Sequence, residues 1–191
     1  MNRFSRVAGR AIAGAALATV AALAITSATT GGSARAAAAS TPRCPTAALE
    51  VWLGLGVGGA AAGSTSYPME FTNVSGYTCH LYGFPGVSAV YGGHQAGSPA
   101  HWVKSPFAPE RTVTLAPGAT AHTALQITDV ANFGASTCGP VTADGLKVYP
   151  PGAFTSTFIP FTFRACSIKG PLYLFVQYVQ PRVGVPGHPN L

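Results

Sequence analysis

The sequence predicts an all-β domain: an antiparallel immunoglobulin-like β-sandwich of about 7–9 strands with two disulfides. Three observations carry that expectation. Short runs of alternating apolar and polar residues recur at intervals of roughly 8–15 residues, divided by Gly- and Pro-rich turns. No stretch beyond the leader keeps the 3.6-residue period of a helix. Four cysteines, Cys44, Cys79, Cys138 and Cys166, all lie behind an export signal, where an even count reads as a disulfide framework.

The leader is residues 1–39. Arg3, Arg6 and Arg10 form a positive start, Ala11 to Ala28 is apolar, and Ala34-Arg35-Ala36 and Ala36-Ala37-Ala38 both fit an A-x-A cleavage site. This is the pattern of a secretory signal peptide, with a mature chain beginning between Ala37 and Thr41. An uncleaved anchor needs a similar length of apolar chain, but this segment is Ala-rich and only weakly apolar. Thr41-Pro42-Arg43-Cys44 lacks the small and apolar residues of a lipidation site, and no adjacent arginine pair marks a twin-arginine signal. The expected localisation is secreted, extracellular or cell-wall associated. Cleavage also removes Arg3, Arg6, Arg10 and Arg35 from the eleven basic residues, which leaves seven against five acidic ones. The remaining cations are scattered singly, so no nucleic-acid patch is expected, and no membrane span remains after cleavage.

Residues 40–181 read as the β-domain. Ser40 to Ala47 is a polar lead-in, and Leu49 to Leu55 is a strand with its odd positions apolar. Gly58 to Ser66 is too rich in small residues to pack and reads as a mobile loop, without the lysine or following helix of a phosphate loop. Tyr67, Met69 and Phe71 alternate with Glu70 and Thr72, a strand with one buried face. Asn73-Val74-Ser75-Gly76 supplies turn chemistry; it also matches a glycosylation sequon but is read as a turn. A second run carries Cys79 and stops at Gly83-Phe84-Pro85-Gly86. Val87 to Tyr91 is a short strand closed by a Gly92-Gly93 hairpin turn, and Gly97 to Pro109 is irregular. Arg111 to Leu115 and Thr120 to Val130 are strands around Ala116-Pro117-Gly118-Ala119. Asp129 to Val141 is a loop carrying Cys138, and Leu146 to Tyr149 is a strand. Phe154 to Phe163 is another, where Pro160 calls for an edge or a bulge. Leu172 to Val179 is the last strand, and residues 182–191 form a flexible tail.

Four cysteines allow three connectivities. Chain order is expected, Cys44 with Cys79 and Cys138 with Cys166. If Leu49 to Leu55 and Tyr67 to Phe71 are antiparallel neighbours, Cys44 and Cys79 fall at one end of the sheet. Cys138 and Cys166 each precede a strand, and they meet only if those strands run parallel or face each other across the sandwich. Each bridge would contribute about 3–4 kcal/mol in the chain-entropy model.

An early Cys, the run F-T-N-V-S-G-Y-T-C with L-Y-G-F-P-G-V behind it, V-T-L-A-P-G-A-T-A, and a late C-G-P followed by L-K-V-Y-P-P occur together. From Cys44 to Gln180 the chain thereby resembles the actinobacterial secreted domain of unknown function 4232 family. The resemblance implies a sandwich fold and export to the cell envelope. It brings no established activity and no catalytic residues to carry over. Many members are lipoproteins, from which this chain departs.

No catalytic, cofactor or metal motif is found, so no enzyme and no cofactor are expected. His80, His94, His101, His122 and His188 show no i, i+2 or i, i+4 pairing and read as surface residues. Glu50 and Glu70 fall on the polar faces of adjacent strands and read as solvated. There is no G-x-S-x-G elbow. The ligand-facing candidates are Tyr82, Phe84, Tyr91, Trp102 and Phe107, aromatics in or beside loops, where sandwiches bind partners. The plainer reading, in which Phe84 and Trp102 plug the core from the loops, is preferred. The function expected is a non-catalytic module binding a cell-wall glycan or extracellular protein, and the alternative is a secreted enzyme or enzyme inhibitor. Three exposed coplanar aromatics would favour glycan. A buried carboxylate beside a histidine would favour an enzyme, and a rigid disulfide-braced loop would favour an inhibitor.

Overall fold

The computed structural model describes residues 40–55, 59–61 and 63–184. The proposed signal peptide therefore lies outside the described residues, as does His188. Among the described residues there are thirteen strands: β1 (Leu49–Leu53), β2 (Gly59–Ala61), β3 (Ser64–Asn73), β4 (Cys79–Tyr82), β5 (Gly86–Tyr91), β6 (His94–Ala96), β7 (His101–Trp102), β8 (Thr112–Leu115), β9 (Thr120–Thr128), β10 (Pro140–Tyr149), β11 (Thr157–Cys166), β12 (Leu174–Val176) and β13 (Gln180–Pro181). This exceeds the 7–9 expected, because five of the strands are only two or three residues long. One sheet has the order β1-β3-β9-β12-β7, with β2 also on β3 and β13 also on β9. A second has the order β11-β10-β5-β6, and β4 pairs with β8 apart from both. Pairing is antiparallel except for β7 against β12, which is parallel.

One buried cluster draws on all three sheets. It includes Met69, Phe71 and Leu125 from the first, Val87, Leu146 and Val148 from the second, and Leu81 and Leu115 from the third. Tyr67 meets Phe161 edge-on with ring centroids 5.2 Å apart, joining β3 to β11. Tyr173 is fully buried and donates its hydroxyl to the Ala96 carbonyl at 3.3 Å. Burial pushes its pKa up to about 12, so it stays neutral.

The turn after β3 explains why Asn73 stands where it does. Its side chain is fully buried. Nδ2 donates to the carbonyls of Tyr77 at 2.8 Å and Leu115 at 3.0 Å, while Oδ1 accepts from the Ser75 N–H and hydroxyl. Its backbone binds the Pro-Gly turn, as donor to Ala119 and acceptor from Gly118. Two motifs far apart in sequence thus form one joint. The Pro-Gly turn does not close a hairpin: β8 pairs with β4, and β9 with β3 and β12.

The disulfides pair as Cys44–Cys79 and Cys138–Cys166, with Cα separations of 5.0 and 4.6 Å. The geometry expected for the first holds. Cys44 donates its N–H to the His80 carbonyl and His80 returns one to Pro42, both at 2.9 Å. The second pair meets for a different reason from the one expected. Cys166 does not lead into the last strand but ends β11, which lies antiparallel to β10 with Pro140 opposite Cys166. Gly145 disguised the length of β10 because it looks like a break. It stays in the strand instead, paired with Pro160 of the edge strand β11 just past a bulge, where β11 advances three residues against two between Ala143 and Gly145; a Cβ on Gly145 would collide with the Ile159 carbonyl.

Three further expectations are corrected. Within the stretch expected to be a mobile loop, Gly59–Ala61 (β2) pairs antiparallel with Ser64–Ser66 of β3. Asp129 to Val141 holds two short helical turns, Val130–Asn132 and Ala135–Cys138, too brief to leave a periodic pattern. The tail is not loose from residue 182: the backbone of residues 182 to 184 is tied to the first sheet, as described next.

Candidate functional site

Two groups of residues stand out, one open and one sealed. The open one begins at Gly83, whose φ of 103° turns the chain out of β4 and sets Phe84 between the sheet edge and solvent. Phe84 is half-buried against the core. One side of its ring lies against Tyr178, centroids 3.9 Å apart, and Trp102 lies nearly parallel to it at 5.2 Å and 3°. Trp102 comes from the edge strand β7, held in place by its pairing with Val176 and by the Val103 N–H bonded to the Val176 carbonyl. It remains 58% exposed. Beside this stack lies a cleft of about 570 Å³ lined by Phe84, Gly86, Pro99, Ala100, His101, Trp102 and Lys104. That volume falls within the range of small-ligand sites.

Below the stack, Glu110 accepts the Tyr178 hydroxyl at 3.0 Å. The hydroxyls of Tyr82 and Tyr178, and to a lesser degree the Lys104 charge, hold the Glu110 carboxyl below the ordinary range. Reciprocally, the Glu110 carboxylate raises the Tyr82 phenol. Glu110 thus fastens the back of the aromatic wall and stays ionised.

Of the five aromatics expected to face a ligand, Phe84 and Trp102 are brought together at the cleft, and Tyr82 is linked to them only through Glu110 and Tyr178. Phe107 is 75% exposed but lines a different cleft with Pro109, Arg111 and His122. Tyr91 stands opposite His94 at the β5–β6 hairpin, in the other large sheet. Tyr82, Trp102 and Phe107 are exposed, yet Phe84 and Trp102 stack face to face and do not lie side by side in one plane. Sequence reasoning missed Tyr178, Glu110 and Lys104. No local pattern marks them, because they meet through contacts distant in sequence, such as Tyr178 with Glu110 and Gln180 with the Pro109 carbonyl.

The sealed group corrects two expectations. Glu70 is fully buried and His122 is 1% exposed, against the sequence expectation of a solvated carboxylate and a surface histidine. They are direct cross-strand partners on β3 and β9. The face they share is not solvated, because the chain after β13 returns across it. Glu70 Oε1 accepts the Gly184 N–H at 2.8 Å. His122 Nδ1 lies 2.9 Å from the Arg182 carbonyl and must be the protonated nitrogen, since a carbonyl only accepts. Glu70 Oε2 and His122 Nε2 have no hydrogen-bond partner among the described residues. Burial raises the Glu70 pKa to about 7, only partly opposed by the Gly184 N–H.

Of the other histidines, His80 is partly exposed and His94 and His101 are exposed. Among the described residues no three His, Cys, Asp or Glu side chains gather as metal ligands, and no helix is long and apolar enough to cross a membrane.

Searches of curated proteins and of solved structures return no match. A family profile does match, over residues 44–180, and it is described as Domain of unknown function (DUF4232). Those residues span the described domain from the first disulfide cysteine to β13, and the chain belongs to this family.

Proposed function

We propose that the protein is a non-catalytic exported module that binds a cell-envelope component in the cleft beside Trp102. The observation that carries this reading is the Phe84–Trp102 stack, which holds a large exposed indole rigidly at the mouth of an open cleft. An exposed tryptophan fixed by a partner loses little side-chain freedom when a ligand arrives, which favours affinity. A sugar ring suits the free side of the indole, with apolar C–H groups against the ring and hydroxyls toward His101 and Lys104. Export is supported by the leader pattern and by two disulfides, which suit an oxidising environment. The framework we propose is an immunoglobulin-like sandwich of the two larger sheets, in keeping with the buried cluster they share.

The test is retention of the mature protein on isolated cell-wall glycan, with the secreted proteins of the host as a second bait. Wild-type protein retained on glycan, with Trp102→Ala lost, supports the reading. Retention on a secreted protein alone would move the partner class to protein, and equal retention of both forms would remove the cleft from the account.

One observation favours the alternative of a secreted enzyme: a buried carboxylate beside a histidine, Glu70 and His122. Both lie beneath residues 182–184 and are closed to substrate in this arrangement. Turnover of a peptide, ester or glycoside substrate that is abolished by Glu70→Gln would establish it.

A further inference from the structure

We propose that residues 182–184 form a proton-controlled strap, closed over Glu70 and His122 while the Glu70 carboxyl is neutral and released when it ionises. This inference is independent of the aromatic cleft and of what that cleft binds.

Three features make the segment a built latch. Arg182 has φ 72°, and among the described residues it is the one non-glycine in the left-handed region. That conformation turns the chain from the sheet edge back over the face, at a local cost in backbone strain that the contacts beyond it must offset. Those contacts are few: the Arg182 carbonyl on His122 Nδ1 and the Gly184 N–H on Glu70 Oε1. The seat at Gly184 is tight. A Cβ there would stand 2.5 Å from Pro68 Cβ, 3.0 Å from His122 Cδ2 and 3.1 Å from Glu70 Oε1.

Both contacts end on titratable side chains, but only one is sensitive to charge in the relevant way. His122 keeps the hydrogen on Nδ1 in either protonation state, so its bond to Arg182 survives both. Glu70 has one donor and a second oxygen with no partner among the described residues, and the side chain is fully buried. An ionised carboxylate so placed is poorly compensated, and the simplest relief is to expose it. The groups facing it change this little. From β1 the register sets Trp52 opposite Glu70, with Glu50 two positions along the same face. From β9 it sets His122. The strap brings Arg182, and Arg111 lines the cleft shared by His122 and Arg182.

The direction follows from the two states. Closed, the Glu70 pKa is held at about 7; open, it returns to the ordinary 4.5. The closed state therefore binds the extra proton between those values. Closure is fully favoured below about pH 4.5 and weakens as pH rises through about 7. Release would bare Pro68, Glu70 and His122 on the outer face of β3 and β9.

The test is amide hydrogen exchange read residue by residue on the mature protein from pH 5 to 8, with protection corrected for intrinsic rates. Amides of β9 within the sheet serve as the internal reference. The Gly184 protection factor should fall roughly ten- to a hundredfold relative to that reference as pH rises. Glu70→Gln, which is isosteric and can still accept from Gly184, should keep the strap closed with a flat profile. Gly184→Ala should leave it open at every pH. A flat wild-type profile would overturn the proposal, as would a wild-type slope that persists in Glu70→Gln or that only His122→Asn removes.

Discussion

Glu70 lies on a central strand with one backbone donor and no solvent, whereas Glu110 lies on a loop with two phenol donors and a lysine nearby. The first carboxyl is pushed up to about 7 and the second is held below the usual range. The contrast shows which effect wins. Full burial can raise a carboxyl by several pKa units, and one N–H does not cancel it. Where desolvation is slight, two hydroxyl donors decide the sign. Glu110 consequently behaves as a fixed anion that braces an aromatic wall. Glu70 is a group whose charge must change if its surroundings do.

Breaking the wall itself should have the largest effect. Phe84→Ala removes the ring that touches both Tyr178 and Trp102, and should cost about 2–4 kcal/mol, less than a fully buried Phe would. The denaturant midpoint should fall while the slope holds. The next substitution sharpens the contrast. Glu70→Gln should stabilise the fold by about 1–3 kcal/mol at pH 8 and leave it unchanged near pH 4.5. The sign follows because a carboxyl raised in the folded state contributes most below its unfolded pKa and loses that contribution as pH climbs. Urea melts at the two pH values read it directly. Glu110→Gln should act in the opposite sense and more weakly: stability falls at neutral pH, and the difference from wild type fades as the solution is acidified. Smallest of all, Trp102→Ala should change stability by about 1 kcal/mol or less, because the indole is mostly outside the core.

How much of this was legible in the sequence depends on range. Alternation at Tyr67, Met69 and Phe71 marked β3, and Gly92-Gly93 marked the β5–β6 turn, where both glycines have positive φ. Cys44 and Cys79 could be paired from the expectation that β1 and β3 are neighbours. Gly145 and Pro160 each hid part of the β10–β11 hairpin, since a glycine beside a bulge and an edge proline look locally like interruptions. Glu70 could not be recognised as buried from its own strand. Its parity is that of an outward face, and what covers it arrives more than a hundred residues later, at Gly184. Pro68, an apolar residue of the same parity, was the one local hint. The aromatic cleft was half visible, in Phe84 and Trp102. Tyr178 and Glu110 entered only with the topology.

The ligand is proposed to seat against Trp102, and the two tryptophans make that directly measurable. Trp52 sits on the other side of the first sheet's strand order, its Nε1–H 3.3 Å from the Thr72 hydroxyl, and serves as an internal control. Soluble fragments of cell-wall glycan are titrated into the ¹⁵N-labelled mature protein at fixed pH while both indole N–H resonances and the Gly184 amide are followed. A saturable shift of the Trp102 indole is expected, with the Trp52 indole and Gly184 unmoved. Fragments that leave Trp102 unmoved, or that shift Trp52 in its place, would contradict it.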